Sequence, residues 1–201
     1  MKIGPKYKIA RRLGAPVFEK TQTQKYAMRA ARKDKTSPIM RPKSEFGQGL
    51  LEKQKARYSY GITSTQFGNY VKKAMEKKGD SAGHLISSLE SRLDNAVLRG
   101  GLAPTRRAAR QMVSHGHVTV NGKAVTIPSY DLSVGDKIGI RKGSLNKVIF
   151  AKLAETWAAV KLPAWLKLDI DKKELVVDGV PTAAKTELLF NVGTVLEFYS
   201  R

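Results

Sequence analysis

SRLDNAVLRGGLAPTRRAARQMVSHGHVTVNGKAVTIPSYDLSVGDKIGIR, residues 91–141, is the stretch on which the reading of the whole chain turns. It reads as two short helices, a tight hairpin and a further strand. Thr105 follows Pro104 and precedes a helix-forming run, which predicts an N-cap for a helix over residues 106–114. At about 100° per residue, Arg106, Arg107, Arg110 and Ser114 fall within one arc of roughly 100°. Ala109, Met112 and Val113 fill the neighbouring arc, so one face is set to pack and the adjacent one to meet anions.

Gly116 stops that helix, and His117-Val118-Thr119-Val120 alternates with the period of a half-buried strand. Asn121-Gly122 predicts a type I′ hairpin turn, because both central residues of that turn need positive φ. Residues 123–127 are then expected as the return strand. Upstream, Leu89, Leu93, Ala96 and Val97 form an apolar stripe at helical spacing, flanked by Arg92 and Arg99. Charge runs are usually solvated faces. Here five arginines stand against one acidic residue, Asp94, between residues 91 and 114, and that imbalance favours an anion-binding role.

The rest of the chain fits such a partner. Its 201 residues suggest one to two domains, enough to bury roughly 70% of the unfolded surface. Lys plus Arg number 37 against 17 Asp plus Glu, a formal charge of +20 that repels itself unless a polyanion compensates it. Residues 1–60 carry a net +12, residues 61–90 a net +1, residues 91–154 a net +8 and residues 155–201 a net −1. Two basic regions therefore flank a near-neutral helical one. The absence of cysteine excludes disulfides and thiolate zinc sites. No apolar run resembles a signal peptide or reaches the roughly 20 residues of a membrane span, so a soluble intracellular protein is expected.

Residues 1–43 read as a basic extension in which Gly and Pro interrupt sparse apolar residues. It is expected to stay flexible alone and to order on RNA, with Lys6, Lys8, Arg11 and Arg12 in contact. Ser44 caps a predicted helix to about Tyr60, ended by Gly61, with Lys53, Lys55 and Arg57 on its polar side, placed to track a phosphate backbone. Thr63 and Gln66 make a capping box for the next helix, whose buried face is predicted to hold Phe67, Tyr70, Val71, Ala74 and Met75. Residues 152–160 read as helix, residues 166–170 and 175–177 as strands, and residues 194–199 as a last short strand.

Four segments carry a resemblance that covers most of the chain: GPKYKIARR, LLEKQKARYSYGITSTQFGNY, residues 91–130 and the terminal LEFYSR. In this order they resemble the S-four family of bacterial small-subunit ribosomal proteins. The resemblance implies an α+β fold: a helical N-terminal domain plus an inserted S-four-type RNA-binding module of two helices and a small, mostly antiparallel sheet. The expected boundaries are residues 1–43, 44–90, 91–154 and a segment 155–201 that packs back on the two domains. It implies a primary binder of small-subunit ribosomal RNA at a multi-helix junction of the 5′ domain. Such a protein acts early in subunit assembly, lies in the cytoplasm within the ribosome near the path by which mRNA enters, and touches ribosomal protein S-five at an interface affecting decoding accuracy. No membrane and no small-molecule substrate is implied.

Departures from the family pattern matter. Many relatives hold zinc through N-terminal cysteines, which this chain lacks, so no cofactor is expected. Only Arg41 and Lys43, with Met40 interrupting, match the basic run relatives often carry near the mRNA path. Ser64 and Thr65 precede the QF pair and Gly68 follows it, and residues 166–191 fit the family poorly.

Competing chemistry is thin. Arg92-Leu93-Asp94 matches the RLD motif of RNA pseudouridine synthases, in which the Asp is catalytic. There the motif lies in a separate domain beyond the S-four module; here it lies in the module's first helix, so Asp94 is expected to pair with an arginine or a helix end. His115 and His117 have no acidic or cysteine company that would make a metal site or triad, and His84 is isolated. Their expected roles are hydrogen bonds at the helix end or RNA contact. A free-standing RNA-binding factor would need the module but not the basic N-terminal half, and nothing marks a DNA-compacting protein. The expected RNA face is Arg92, Arg106, Arg107, Arg110, Ser114, His115 and, on the hairpin, Lys123.

Overall fold

The computed structural model describes residues 3–34, 44–151, 153–169, 172–182 and 188–200. Among these, helices run over Lys6–Leu13 (α1), Gln24–Asp34 (α2), Glu45–Tyr60 (α3), Ser64–Glu76 (α4), Ser81–Glu90 (α5), Leu93–Arg99 (α6), Arg106–Ser114 (α7), Leu153–Ala159 (α8) and Val192–Ser200 (α9). The strands are β1 (Val118–Val120), β2 (Lys123–Ala124), β3 (Lys137–Ile140), β4 (Leu166–Asp169) and β5 (Glu174–Val177). The architecture is α+β. The chain divides into two compact units, residues 1–82 with 184–201, and residues 83–183.

In the first unit, the stretch expected to stay flexible carries α1 and α2. Ala10, Leu13, Val17 and Phe18 are buried there, with Tyr58 packing partly against them. Tyr7 of α1 stacks on Tyr26 of α2 at 5.7 Å. Ser44 caps α3 through Gly47 N–H (3.2 Å), and the predicted Thr63/Gln66 box closes on α4. Phe67, Val71 and Ala74 are buried as expected, whereas Met75 is 41% exposed.

Residues 194–199 are not a strand but the body of α9. Asn191 caps it, its Oδ1 accepting from Thr194 N–H at 3.2 Å, while its own N–H donates to Glu52 Oε2 at 2.8 Å. Val195 is buried, and Phe198 lies 5.2 Å from Phe46 and against Gly49, where an added Cβ would fall 2.8 Å from the ring. Tertiary packing overrides the strand preference of a Val- and aromatic-rich run.

The second unit sets α6, α7 and α8 with one five-stranded sheet, ordered β2-β1-β3-β5-β4 and antiparallel throughout. Leu93, Val97, Val113, Val118, Ile138 and Leu175 lie in its core, and Trp157 donates from Nε1 to Gly100 O at 2.9 Å. Asn121 and Gly122 have φ of 51° and 78°, the positive pair that the hairpin needs.

Two expectations fail together here. The apolar stripe from Leu89 to Val97 is buried but not one helix: the chain is extended at Arg92, between α5 and α6. The return strand stops at Ala124 instead of reaching Ile127. The cause is shared. After a last rung from Val125 N–H to Val118 O the chain leaves the sheet, and from Pro128 it serves the start of α6, where Leu93 N–H donates to Tyr130 O and Asp94 N–H to Pro128 O, at 2.9 and 3.0 Å. Arg92 also bridges to Asp131 as a single antiparallel pair. Helix-start donors that have no intrahelical partner are thereby satisfied.

Candidate nucleic-acid interface

Thr105 caps α7 as the sequence predicts, its Oγ1 accepting from Ala108 N–H at 3.1 Å. Ala109, Met112 and Val113 are buried beneath the helix. Arg107, Ser114 and His115 are exposed on its outer side, and Lys123 is exposed at the hairpin. The neighbouring arginines point to a different task.

Asp94 is buried, and both its oxygens are occupied. Arg92 donates from Nε to Oδ1 (3.0 Å) and from Nη2 to Oδ2 (2.8 Å), while Arg110 donates from Nε (3.0 Å) and Nη2 (2.6 Å) to Oδ2. One residue on, Asn95 Oδ1 accepts from Arg106 Nη2 at 2.6 Å, and Asn95 Nδ2 donates to Glu90 Oε2 at 2.7 Å. Glu90 is fully buried and accepts from Arg99 through Nε and Nη2, each at 3.2 Å. Two carboxylates, one amide and four guanidiniums thus clamp α7 to α6 and to the end of α5. Arg92, expected on the anion-binding face, is 3% exposed and not on that surface. Arg110 keeps 31% of its side chain in solvent.

The sequence reading missed Glu90 and Asn95 as the residues that orient this face. Glu90 carried a signal: it follows Leu89 at the start of the apolar stripe, where a buried carboxylate needs a paired cation.

His117 lies beside the outer face, its Nδ1 3.0 Å from Ser144 Oγ and its ring edge-on to Phe150. Burial, and then the charges of Lys147, His115 and Arg141, hold its imidazole below the ordinary value.

In the first unit, Lys8, Arg11 and Arg12 are exposed on α1, and Lys6 places its ammonium 5.7 Å from the Phe18 ring centre. The α3 cations are half-buried and engaged. Lys53 Nζ sits 5.0 Å from the rings of both Phe198 and Tyr199, Lys55 pairs with Glu52 at 2.7 Å, and Arg57 donates to Gln54 and stacks on Tyr58. Arg41 and Lys43 lie outside the described residues. Among the described residues no group of three or more His, Asp or Glu could hold a metal ion, and no helix is long and apolar enough to cross a membrane.

Residues 1–90 match the Ribosomal protein S4/S9 N-terminal domain, and residues 91–138 match the S4 domain. The Small ribosomal subunit protein uS4 of Roseiflexus castenholzii is 42% identical over 99% of this chain and 98% of its own length. That of Azotobacter vinelandii is 37% identical over 99% and 98%, and that of Mycobacterium marinum 43% over 79% of each. The chain belongs to the uS4 family. Proteins of the uS4 family are structural and non-enzymatic, in keeping with an Asp94 that is sealed between two guanidiniums rather than open to a substrate. The matches to the Roseiflexus castenholzii and Azotobacter vinelandii proteins span 99% of the chain, and the segment 166–191 supplies β4 and β5 to the sheet.

Proposed function

We infer that this chain is a structural constituent of the small ribosomal subunit and a primary binder of its ribosomal RNA. The observation that carries the reading is the full-length likeness to uS4 proteins, 42% identical over 99% of the chain. The charge of +20 and the outward arginines supply the physical means. Structured RNA offers phosphates and 2′-hydroxyls on a surface whose deep, narrow major groove excludes side chains, so cations held on rigid helices suit it. Arg107 is the outer anchor of α7, with Arg106 and Arg110 presenting the edges their α6 bonds leave in solvent and Ser114, His115 and Lys123 extending the surface. Arg92 acts from beneath by fixing Asp94. Lys6, Lys8, Arg11 and Arg12 of α1 take a second RNA strand, while Lys53, Lys55 and Arg57 add charge along α3.

In this reading the RNA target is a folded multi-helix junction of the 5′ domain, and binding there nucleates subunit assembly. Arg41 and Lys43 supply positive charge for mRNA, and contact with ribosomal protein S-five tunes decoding accuracy. Sedimentation of cell lysate at high and low magnesium tests the assignment. Co-migration with the intact small subunit is expected, and a pool wholly free of ribosomes would refute it.

A further inference from the structure

The cations on the predicted α7 face are largely engaged with α6, but those at the far end of β3 are not. From Lys137 to Lys152 the sequence holds five cations and no acidic residue. Arg141, Lys142 and Lys147 are exposed, and none forms an ion pair among the described residues. They are not on a loose tail. Arg141 N–H donates to His117 O (2.9 Å), and Lys147 N–H donates to Ser144 O (3.0 Å). Phe150 plugs the following turn into the core at 5% exposure and meets the His117 ring. The His117 and His115 rings, 5.9 Å apart, complete the cluster, with Ser144 Oγ between β1 and the turn. Immediately beside Lys147, Val148 is 90% exposed and Ile149 55%. A pair of bare aliphatic side chains next to unpaired cations is a poor solvated face and a good one to be covered.

We propose that Arg141 and Lys147, flanked by Lys142 and joined by His115 and His117, form a second phosphate-binding surface for RNA on the S-four module, adjoining α7 rather than lying on it. The ligand class is the phosphodiester backbone of structured RNA, with Val148 and Ile149 resting on the ribose edge of the bound strand. The inference rests on the RNA-binding reading above. It adds to it a site whose backbone is pinned by hydrogen bonds and by buried Phe150, and whose cations form no ion pair among the described residues, so that neither must first give up such a partner.

The test uses the full chain and a transcript of the small-subunit 5′ domain. Arg141→Gln with Lys147→Gln should leave thermal melting unchanged, since both side chains are exposed, and should reduce the slope of log K against log salt by about two. In the unsubstituted chain, the NMR titration midpoint of His117 should rise on RNA addition, as phosphate offsets the surrounding positive charge. A changed slope and a raised midpoint support the site. An unchanged slope, or an unmoved His117, overturns it while Arg107→Ala still weakens binding and keeps the wider reading intact. Effects confined to assembled subunits and absent with RNA alone overturn it in favour of a protein contact. Failure of the unsubstituted chain to bind the transcript sinks both.

Discussion

Arg110 and Asp94, 16 residues apart, are joined by two hydrogen bonds of 2.6 and 3.0 Å to a single carboxylate oxygen, the one that Arg92 also reaches at 2.8 Å. The Asp of an RLD triplet is therefore the strut between α6 and α7. Its two guanidiniums differ in kind: Arg92 is sealed in, and Arg110 is a third exposed. That difference separates a guanidinium that only braces the packing of α7 on α6 from one that also reaches solvent.

Asp94→Asn takes from buried Arg92 the carboxylate it pairs with at 2.8 Å. Breaking a buried pair from one side costs about 3–5 kcal/mol. Urea unfolding should report a loss of that order, and a loss below about 1 kcal/mol would contradict the strut.

Arg107→Ala and Arg110→Ala should part company. Arg107 is exposed with no ion pair among the described residues, so its removal should leave stability within about 0.5 kcal/mol while weakening RNA binding. Arg110→Ala strips two charge-assisted bonds from Asp94 and should cost about 1–3 kcal/mol of stability as well. Paired melts and filter-binding curves check this; equal stability losses would argue against the division.

These assignments show what the sequence could and could not reveal. Thr105, the Thr63/Gln66 box and Asn121-Gly122 were legible because each device is complete within four residues. The break at Arg92 was not, because the carbonyls that receive Leu93 and Asp94 N–H come from Tyr130 and Pro128, more than thirty residues on. α9 was misread for the same reason, its shape being set by Phe46, Gly49 and Glu52 of α3. The clustering of the α7 arginines was legible from helical spacing, yet which guanidiniums bond internally depended on Asn95 and Glu90, whose roles appear only once α5, α6 and α7 are packed.

Gly122→Val should destabilise by about 1–2 kcal/mol, because a β-branched residue resists the φ of 78° there. No atom lies within 4 Å of the added Cβ, so the cost is conformational and Gly122→Asn should be mild. Equal melting of the Val and Asn variants would contradict the turn assignment.

His117 gives a pH dependence of definite sign. Its folded pKa lies below the ordinary value of about 6.5, chiefly through burial and then through Lys147, His115 and Arg141. The fold therefore favours the neutral ring. The stability it contributes is complete above about pH 6.5 and is lost as pH falls through the lower folded value. Melts between about pH 7.5 and 5 should show this decline, and His117→Gln should flatten it. A decline of equal depth in the variant would assign it to other groups.

In the proposed complex, cations carried on packed helices engage many phosphates of one folded RNA at once. The most direct measurement is the affinity of the full chain for the small-subunit 5′-domain transcript across a salt series. Engagement of about ten phosphates predicts a slope of log K against log salt of about −7 to −9, with a clear preference over an unstructured RNA of equal length. A slope near zero, or equal affinity for both RNAs, would rule out this mode of binding.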